Sequence, residues 1–277
     1  MILIADSGST KTAWRLIDQE NIKQFVTAGI NPNSMPAETC FEHLQELSTQ
    51  IDSALITAVY YYGAGITDVT RPLWTNTLKD VFMHAVIEVH NDLLAAARAG
   101  LGKSEGLIAI LGTGSNVGWY NGNEIEKKAP AMGYILGDEG AGVSIGKAVL
   151  KGYYRGNWPD EIQQAFARKF PWTIDAMIFE LYNTDKKAYF LAQFSKWAFQ
   201  QRKHETIQQL IIQVYQQFFE MIVEVFGAKP QELALVGSVA YYWSDYIKKV
   251  GLDYHININT IIESPIAALT LYHLDNK

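Results

Sequence analysis

A hairpin signal, in which a strand meets a turn of glycine and hydroxyl residues and then a returning strand, occurs twice in this chain. The first copy ends the apolar run 1–5 in the turn DSGSTKT, and the second ends the apolar run 107–111 in the turn GTGS. Such turns bring backbone N–H groups close to an anion, because glycine has no side chain to hold the anion away. The repeat therefore predicts a duplicated lobe, with one phosphate-binding hairpin in each copy.

The first turn differs from the phosphate loop of P-loop enzymes. The GxxxxGK[ST] spacing is missing from DSGSTKT, and residues 13–17 predict a strand where a P-loop would be followed by a helix. Any phosphate binding at this turn is therefore expected to use a hairpin.

The segment GYILGDEGAG, residues 133–142, leads into a helical pattern over residues 140–153. Asp138 and Glu139 stand at the start of that pattern, where carboxylates interact favourably with the helix macrodipole. They could equally orient a ligand that carries hydroxyl groups. Ten of the 21 glycines fall between residues 106 and 146, which predicts close backbone approach, and hence a ligand, at the start of the second lobe.

The order of elements predicts an α/β protein. Apolar periodicity in the first hundred residues indicates three strands, a helix, a strand, a helix, a strand and a helix, and the second half repeats this βββαβαβα theme with extra helices. We place the lobe boundary at residues 100–106, which gives a first domain at 1–105 and a second at 106–277. A helical insertion is expected at about 153–230.

Asp92 lies where a predicted strand, residues 85–89, gives way to the Ala-rich helix LLAAARAG. Aspartate at such a junction is commonly an N-cap. The same junctions are where open α/β sheets place their ligands. The sequence therefore leaves a capping role and a functional role for Asp92 both open.

Composition excludes several classes of protein. The net charge is −6 and no Lys/Arg cluster is present, which argues against a nucleic-acid-binding surface. No apolar run approaches about 18 residues, and the start lacks a basic segment before an apolar core, so we expect a cytoplasmic protein that does not span or bind a membrane. The one cysteine, Cys40, cannot form an internal disulfide or a cysteine-based metal site alone.

The ordered motifs resemble one superfamily. DSGSTKT, NPN, HNDLLAAARAG, LGTGSN, GYILGDEGAG and LVGSVA follow one another as in the sugar-kinase, Hsp70 and actin ATPases. Within that superfamily the chain looks like the BadF/BadG/BcrA/BcrD ATPase family and its N-acetylglucosamine kinase branch. The resemblance implies two ribonuclease-H-like lobes that bind ATP and a small-molecule sugar in the cleft between them.

The resemblance also implies roles for residues of this chain. Asp6 would hold Mg²⁺ through water, Asp92 would be the catalytic base, and Asn33 and Asp138 would hold sugar hydroxyls together with Asp92. The residues implied in ATP binding are those of the two hairpin turns and of the LVGSVA motif, namely Gly8, Ser9, Thr10, Gly112, Thr113, Gly114, Ser115, Gly237 and Ser238. Phosphoryl transfer needs such alignment and charge neutralisation more than covalent help.

Two positions depart from the N-acetylglucosamine kinase pattern. A GGWG-like run is expected before GDEG, but the chain has Pro130-Ala131-Met132-Gly133, and Met35 stands where an aromatic residue is expected after NPN. Both positions would read the acylamino group and the sugar ring. The acceptor therefore stays open between N-acetylglucosamine, glucosamine and a muramic acid derivative.

Two other functions fit the sequence less well. ATPase activators of 2-hydroxyacyl-CoA dehydratases hold an iron–sulfur cluster with two cysteines from each subunit, whereas this chain has only Cys40. A non-catalytic sugar or nucleotide sensor would be expected to carry a DNA-binding extension, for which we expect no room before Met1, or to lack Asp6 or Asp92. The sequence does not set the oligomeric state, and a homodimer is compatible with it.

Overall fold

The computed structural model describes residues 1–8, 11–19, 21–33, 35–228 and 231–275. The chain divides into two compact units. Unit 1 consists of Met1–Lys103 together with Ser264–Lys277, and unit 2 is the continuous segment Ser104–Glu263.

Unit 1 contains a mixed five-stranded sheet. Its strands are β1 (Ile2–Ser7), β2 (Lys11–Asp18), β3 (Asn21–Ala28), β4 (Ala58–Gly63) and β5 (Val86–Asn91), in the order β3-β2-β1-β4-β5. The first three strands form an antiparallel meander, and β4 and β5 run parallel to β1. The crossovers between the parallel strands are α1 (Ala37–Ser48), with a 3₁₀ turn at Ser53–Leu55, and α2 (Thr70–Val81), and β5 leads directly into α3 (Asp92–Leu101).

Unit 2 repeats this topology. Its strands are β6 (Gly106–Leu111), β7 (Ser115–Tyr120), β8 (Ile125–Lys128), β9 (Gln231–Val236) and β10 (Ile256–Ile262), in the order β10-β9-β6-β7-β8. Again the first three strands are antiparallel, and β9 and β10 run parallel to the first strand, β6. The duplicated mixed sheets confirm the α/β fold class predicted from the repeated hairpin signal.

Helices make up the rest of unit 2. They are α4 (Gly133–Leu136), α5 (Gly142–Tyr154), α6 (Asp160–Lys169), α7 (Ile174–Asn183), α8 (Lys187–Gln200), α9 (Glu205–Phe226), α10 (Ser238–Tyr242) and α11 (Ser244–Asp253). Helices α6 to α9 fill the predicted insertion. Helices α10 and α11 meet at Trp243, whose side chain is buried.

The long helix α9 carries the centre of the unit 2 core. Its buried side chains recur on one face, as the apolar periodicity predicted: Ile207, Leu210, Ile211, Val214, Tyr215, Phe218, Phe219 and Ile222. They pack with residues of β6 and β9 in one apolar cluster. Among the helices of the described residues, none is long and apolar enough to cross a membrane.

The final helix, α12 (Ile266–Asp275), belongs to unit 1. His273 on α12 is buried and shares a 2.8 Å hydrogen bond with the Tyr62 hydroxyl, and its ring stacks on Tyr60 with centroids 3.9 Å apart. The second compact unit therefore ends at Glu263, whereas a domain reaching residue 277 was predicted. Helical periodicity shows that residues 266–275 have an apolar face, but it does not show which sheet that face covers.

Candidate active site

Two carboxylates of unit 1 meet at one edge of its sheet. Asp6 lies near the end of β1, and Asp92 directly follows β5; both strands run in the same direction, so their carboxyl ends share an edge. Burial and, secondarily, the charge of Asp92 raise the pKa of Asp6 to about 6, while Lys11 opposes the shift. Asp6 and Asp92 are thus close enough to repel each other.

Asp92 is not the N-cap of α3. Asn91 occupies that position, and its Oδ1 accepts a 2.9 Å hydrogen bond from the Leu94 amide. Asp92 is the first residue of the helix itself, where a carboxylate still interacts favourably with the macrodipole. The capping interpretation of Asp92 is therefore wrong, because Asn91 caps the helix.

Asn33 lies in a loop that rests on the end of β4. Its amide donates to Asn31 Oδ1 at 3.1 Å, and a Cβ at Gly65, which has φ +77°, would lie 1.8 Å from the same oxygen. Gly65 is thus required for this loop to approach β4 so closely. Sequence reasoning missed both Asn31 and Gly65, although the glycine pair after the β4 pattern was a visible signal.

Met35 secures this loop from the inside. Its sulfur accepts a hydrogen bond from the Asn31 amide at 3.3 Å, and its side chain packs against the unit 1 core. The position at which an aromatic residue was expected is therefore a structural contact in this chain. The other departure, residues 130–133, is exposed and leads into α4 through Gly133 at φ +66°.

The first hairpin turn is described only in part. Gly8 donates its amide to the Lys11 carbonyl at 3.0 Å, so that amide closes the turn. The Ser7 hydroxyl is buried, 2.7 Å from Thr12 Oγ1, and it donates to the Ile30 carbonyl. Ser9 and Thr10, which were predicted to cradle phosphates, lie outside the described residues.

The second hairpin turn keeps two backbone donors available. The Gly112 amide donates to the Gly114 carbonyl at 3.0 Å, and the Ser115 amide donates to Asp138 Oδ1 at 2.9 Å. The amides of Thr113 and Gly114 have no hydrogen-bond partner in the part of the chain that the structure describes. Two neighbouring free N–H groups at a glycine-containing turn are suited to an oxyanion.

The start of α5 holds this turn in place. The amides of Gly142 and Val143 donate to the carbonyls of Gly112 and Thr113, at 2.9 and 3.1 Å. These are among the first amides of a helix, which have no partner within the helix itself. The turn is therefore fixed by its carbonyls while its own amides at 113 and 114 stay free.

Asp138 connects the GDEG turn to the hairpin turn. It has φ +61°, and a Cβ at Gly114 would lie 2.8 and 2.9 Å from its two carboxylate oxygens. Ser144 Oγ donates to the Asp138 carbonyl at 2.6 Å. One carboxylate oxygen is thus engaged by the Ser115 amide, and Gly114 must be glycine for the carboxylate to lie over it.

A cavity of about 530 Å³ opens beside the second hairpin turn. The turn contributes Gly112 and Thr113 to its wall, and the segment after β9 contributes Ser238. Helix α8 supplies a long polar and aromatic wall that sequence reasoning did not assign to a site, including Tyr189, Gln193 and Lys196. The volume lies within the range typical of small-molecule sites.

Gly237 brings the third predicted motif to this cavity. It has φ +121°, and a Cβ at this position would lie 2.3 Å from the Leu111 carbonyl oxygen, so no other residue fits without a backbone shift. The chain thereby crosses the end of β6 directly before the hairpin turn. The predicted residues Gly112, Thr113 and Ser238 are brought together, although 125 positions separate Thr113 from Ser238.

Helix α8 reaches the cavity because α5 lets it approach. A Cβ at Gly146 would lie 1.9 Å from the Leu191 carbonyl oxygen, and one at Gly142 would lie 3.1 Å from Ala192 Cβ. The two helices therefore touch through their backbones. Gly142 and Gly146 were part of the predicted glycine-rich segment, but their partner helix was not visible from local pattern.

The acidic side chains of the described residues limit how a Mg²⁺ ion could be held. Among the described residues, no group of three or more His, Cys, Asp or Glu side chains could hold a metal ion. Mg²⁺ often takes only one or two carboxylates and keeps several waters. The repulsion between Asp6 and Asp92 is what a cation would relieve, so these two carboxylates fit such an ion.

These features define a class of protein. The chain has two five-stranded mixed sheets of the same strand order, and in each a glycine-containing turn joins the first two strands. This is the fold of sugar kinases and actin-like ATPases. No protein-family model matches the chain. Within that class, the chain belongs to the N-acetylglucosamine kinase family.

One relative carries this assignment, and two more are similar to the chain. The structure of a proposed N-acetylglucosamine kinase from Porphyromonas gingivalis is 33% identical, covers 100% of this chain and 99% of that one, and has a TM-score of 0.93. A proposed N-acetylglucosamine kinase from Chromobacterium violaceum, 16% identical over 98% of each chain with a TM-score of 0.74, shares the fold. An N-acetylmuramic acid/N-acetylglucosamine kinase from Clostridium acetobutylicum is 28% identical over 162 residues, which are 53% of this chain and 53% of that protein.

Proposed function

We propose that this protein is an ATP-dependent amino-sugar kinase of the BadF/BadG/BcrA/BcrD ATPase type, which transfers a phosphoryl group from ATP–Mg²⁺ to a sugar hydroxyl. One observation carries the proposal: the hairpin turn with free amides at Thr113 and Gly114 forms part of the wall of a nucleoside-sized cavity. The phosphates would lie on those amides, and the nucleoside would lie against Ser238 and the aromatic wall of the cavity.

The unit 1 carboxylates supply the remaining chemistry. Asp92 would accept the proton of the attacking sugar hydroxyl, which general-base catalysis makes worth about 10²–10⁴-fold in rate. Asp6 would bind Mg²⁺ through water, and the bound cation would supply charge neutralisation at the phosphates. Their shared edge of the sheet supports both roles, because the charges are close enough to act on one reacting centre.

Sugar hydroxyls would be held by Asn33 and Asp138. Asp138 has one carboxylate oxygen engaged by the Ser115 amide, so the other can accept from a hydroxyl. Asn33 is exposed on a loop whose backbone is secured by Asn31 and Gly65. A fixed backbone lets both side chains select a hydroxyl pattern at little entropic cost.

The acceptor is proposed to be N-acetylglucosamine or a closely related amino sugar. The relative from Clostridium acetobutylicum is a kinase for both N-acetylmuramic acid and N-acetylglucosamine. An activator function of the dehydratase type receives no support, since Cys40 is the one cysteine of the chain and lies on the buried face of α1.

A phosphorylation screen tests the proposal. Purified protein with ATP and Mg²⁺ would be offered glucose, glucosamine, N-acetylglucosamine and N-acetylmuramic acid, and ADP release would be measured against a control without sugar. We expect turnover with at least one N-acetylated amino sugar. Equal, sugar-independent ADP release in every reaction would contradict a kinase and favour an ATPase.

A variant of the cavity wall connects the activity to the site. Lys196→Ala removes a cation from the wall without altering the hairpin turn, and we expect a higher KM for ATP with little change in the KM for sugar. Lys248→Ala, an exposed lysine of α11 outside the cavity wall, is the matched control. Equal ATP kinetics for the two variants would place the nucleotide elsewhere.

A further inference from the structure

Unit 2 contains a second cavity, of about 630 Å³, whose lining shares no residue with the cavity beside the hairpin turn. It lies along one side of α5 and one side of α9, and we call it the α5–α9 groove. At one end it is lined by Gly137 and Glu139 of the GDEG turn, and at the other by Asn157 and Trp158.

The groove is positively charged in a negatively charged protein. Lys147, Lys151 and Arg155, spaced by four along α5, all line it, against one lining carboxylate, Glu139. The whole chain carries a net charge of −6. In the described part of the chain no carboxylate lies within 4.0 Å of Lys151 or Arg155, and both side chains are exposed.

This stripe of cations is unfavourable for α5 itself. Like charges four residues apart on a helix destabilise it by a few tenths of a kcal/mol per pair. The helix macrodipole compensates for Lys151 and Arg155 at the C-terminal end, but not for Lys147 in the middle. Burial, followed by the charge of Lys151, lowers the pKa of Lys147, whose ammonium donates to the Tyr134 carbonyl at 2.7 Å.

The opposite wall of the groove carries three side-chain amides among other residues of α9. Gln209, Gln213 and Gln217 are also spaced by four, on α9, and line the groove with side chains that both donate and accept hydrogen bonds. The Trp158 ring at the end of the groove stacks on Trp197, which keeps the ring in a fixed orientation. Cations, amides and an aromatic ring together are suited to a hydroxylated ligand that carries negative charge.

We propose that the α5–α9 groove binds a sugar through an oxyanion, either a carboxylate or a phosphate, held by Lys151 and Arg155. This rests on the proposed kinase function for its choice of sugars. The groove adjoins the residues proposed to hold the acceptor: Ser144 lines it and donates its hydroxyl to the Asp138 carbonyl at 2.6 Å. The oxyanion could be a substituent of the acceptor sugar, or it could belong to a separate phosphorylated sugar.

Calorimetric titration without ATP tests binding directly. The probes are N-acetylglucosamine, N-acetylmuramic acid and N-acetylglucosamine 6-phosphate, and the variant is Lys151→Gln/Arg155→Gln, whose exposed positions can change without affecting the core. We expect at least one anionic sugar to bind the unmodified protein tenfold or more tightly than the variant does. The matched control, Lys248→Gln/Lys249→Gln on α11, removes the same charge from exposed positions outside the groove and should bind as the unmodified protein does.

Two further measurements distinguish the sources of the oxyanion, and either result supports the groove. If the acceptor carries it, kcat/KM for N-acetylmuramic acid falls in the groove variant while that for N-acetylglucosamine is unchanged. If a separate ligand carries it, the sugar phosphate still binds in the presence of saturating N-acetylglucosamine. Identical affinities of both anionic sugars for the unmodified protein, groove variant and control would overturn the proposal. Binding is measured without turnover, so it does not depend on the kinase function. If the kinase function alone fails, an anionic sugar still binds the unmodified protein more tightly than the groove variant, although no phosphorylation is detected.

Discussion

Asp138 and Ser115, 23 positions apart in the chain, are joined by a 2.9 Å hydrogen bond from the Ser115 amide to the Asp138 carboxylate. This bond ties the GDEG turn to the hairpin turn of unit 2. A residue proposed to hold sugar hydroxyls is thereby linked to a turn proposed to hold phosphates. A shift of either turn is expected to reach the other.

Gly114→Ala tests that linkage. The added methyl group would lie 2.8–3.0 Å from the Asp138 carboxyl group, so the carboxylate must move, and we expect the KM for sugar to rise about tenfold or more. Gly112→Ala is the control in the same turn, because a Cβ there meets nothing within 4 Å. Steady-state kinetics of both variants would check this, and equal sugar KM values would argue against Asp138 as a sugar ligand.

Asp92→Asn tests the catalytic base. The amide cannot accept a proton, so turnover should fall by about 10²-fold or more while ATP and sugar still bind. Asn91→Ala is the matched variant, because it removes the helix cap instead and should lower the free energy of unfolding by about 1 kcal/mol. Turnover and denaturant unfolding of both variants separate the two roles. Near-full turnover in Asp92→Asn would leave the mechanism without its base.

The ionised carboxylate of Asp6 is expected to lower the stability of the metal-free protein above about pH 6. Its pKa is raised to about 6, so the folded state binds this proton more tightly than the unfolded state, and the stabilisation present at low pH is lost as the pH rises through about 6. In metal-free buffer, Asp6→Asn should therefore raise the melting temperature more at pH 7.5 than at pH 5, and it should abolish stabilisation by Mg²⁺. Mg²⁺ that stabilises the variant and the unmodified protein equally would exclude Asp6 from the metal site.

His273 should make unit 1 sensitive to acid. Burial, with the nearby charges of Arg98 and His90, lowers the pKa of His273 to about 4. The unfolded chain takes up this proton more readily, so stability is complete above about pH 6.5 and declines as the pH falls toward 4. His273→Gln should flatten that decline in thermal melts, whereas His84→Gln, at an exposed histidine, should not. Parallel pH profiles for the two variants would contradict this account.

The local sequence pattern was sufficient to predict most of the helices and strands and the two hairpin turns. Strands β1 and β6 are continuous apolar runs and helix α9 has strong apolar periodicity, and glycine and hydroxyl residues mark the turns after the two strands. The sequence also singled out Gly112 and Ser238, which both line the cavity beside the second hairpin turn. Each of these signals lies within about ten residues of the feature that it predicts.

The misses share a physical cause, which is contact between distant parts of the chain. Nothing near residue 196 shows that α8 lies against the hairpin turn, because that approach depends on the absence of a side chain at Gly146. The bond between Tyr62 and His273 joins residues 211 positions apart, so the placement of α12 could not be read from its own sequence. The capping role left open for Asp92 has a local cause instead, because the adjacent Asn91 is equally suited to cap α3 and does so.

The return of α12 to unit 1 has a consequence for how the protein is made. Unit 2 is one continuous stretch, and it is synthesised between the two separate parts of unit 1. In unit 1, Tyr62 and the adjoining sheet surface stay uncovered until residues 266–275 have been synthesised and α12 can pack on them. During that interval an exposed apolar surface is open to wrong partners, and a chaperone that recognises such surfaces would find its target in the half of the protein that is synthesised first.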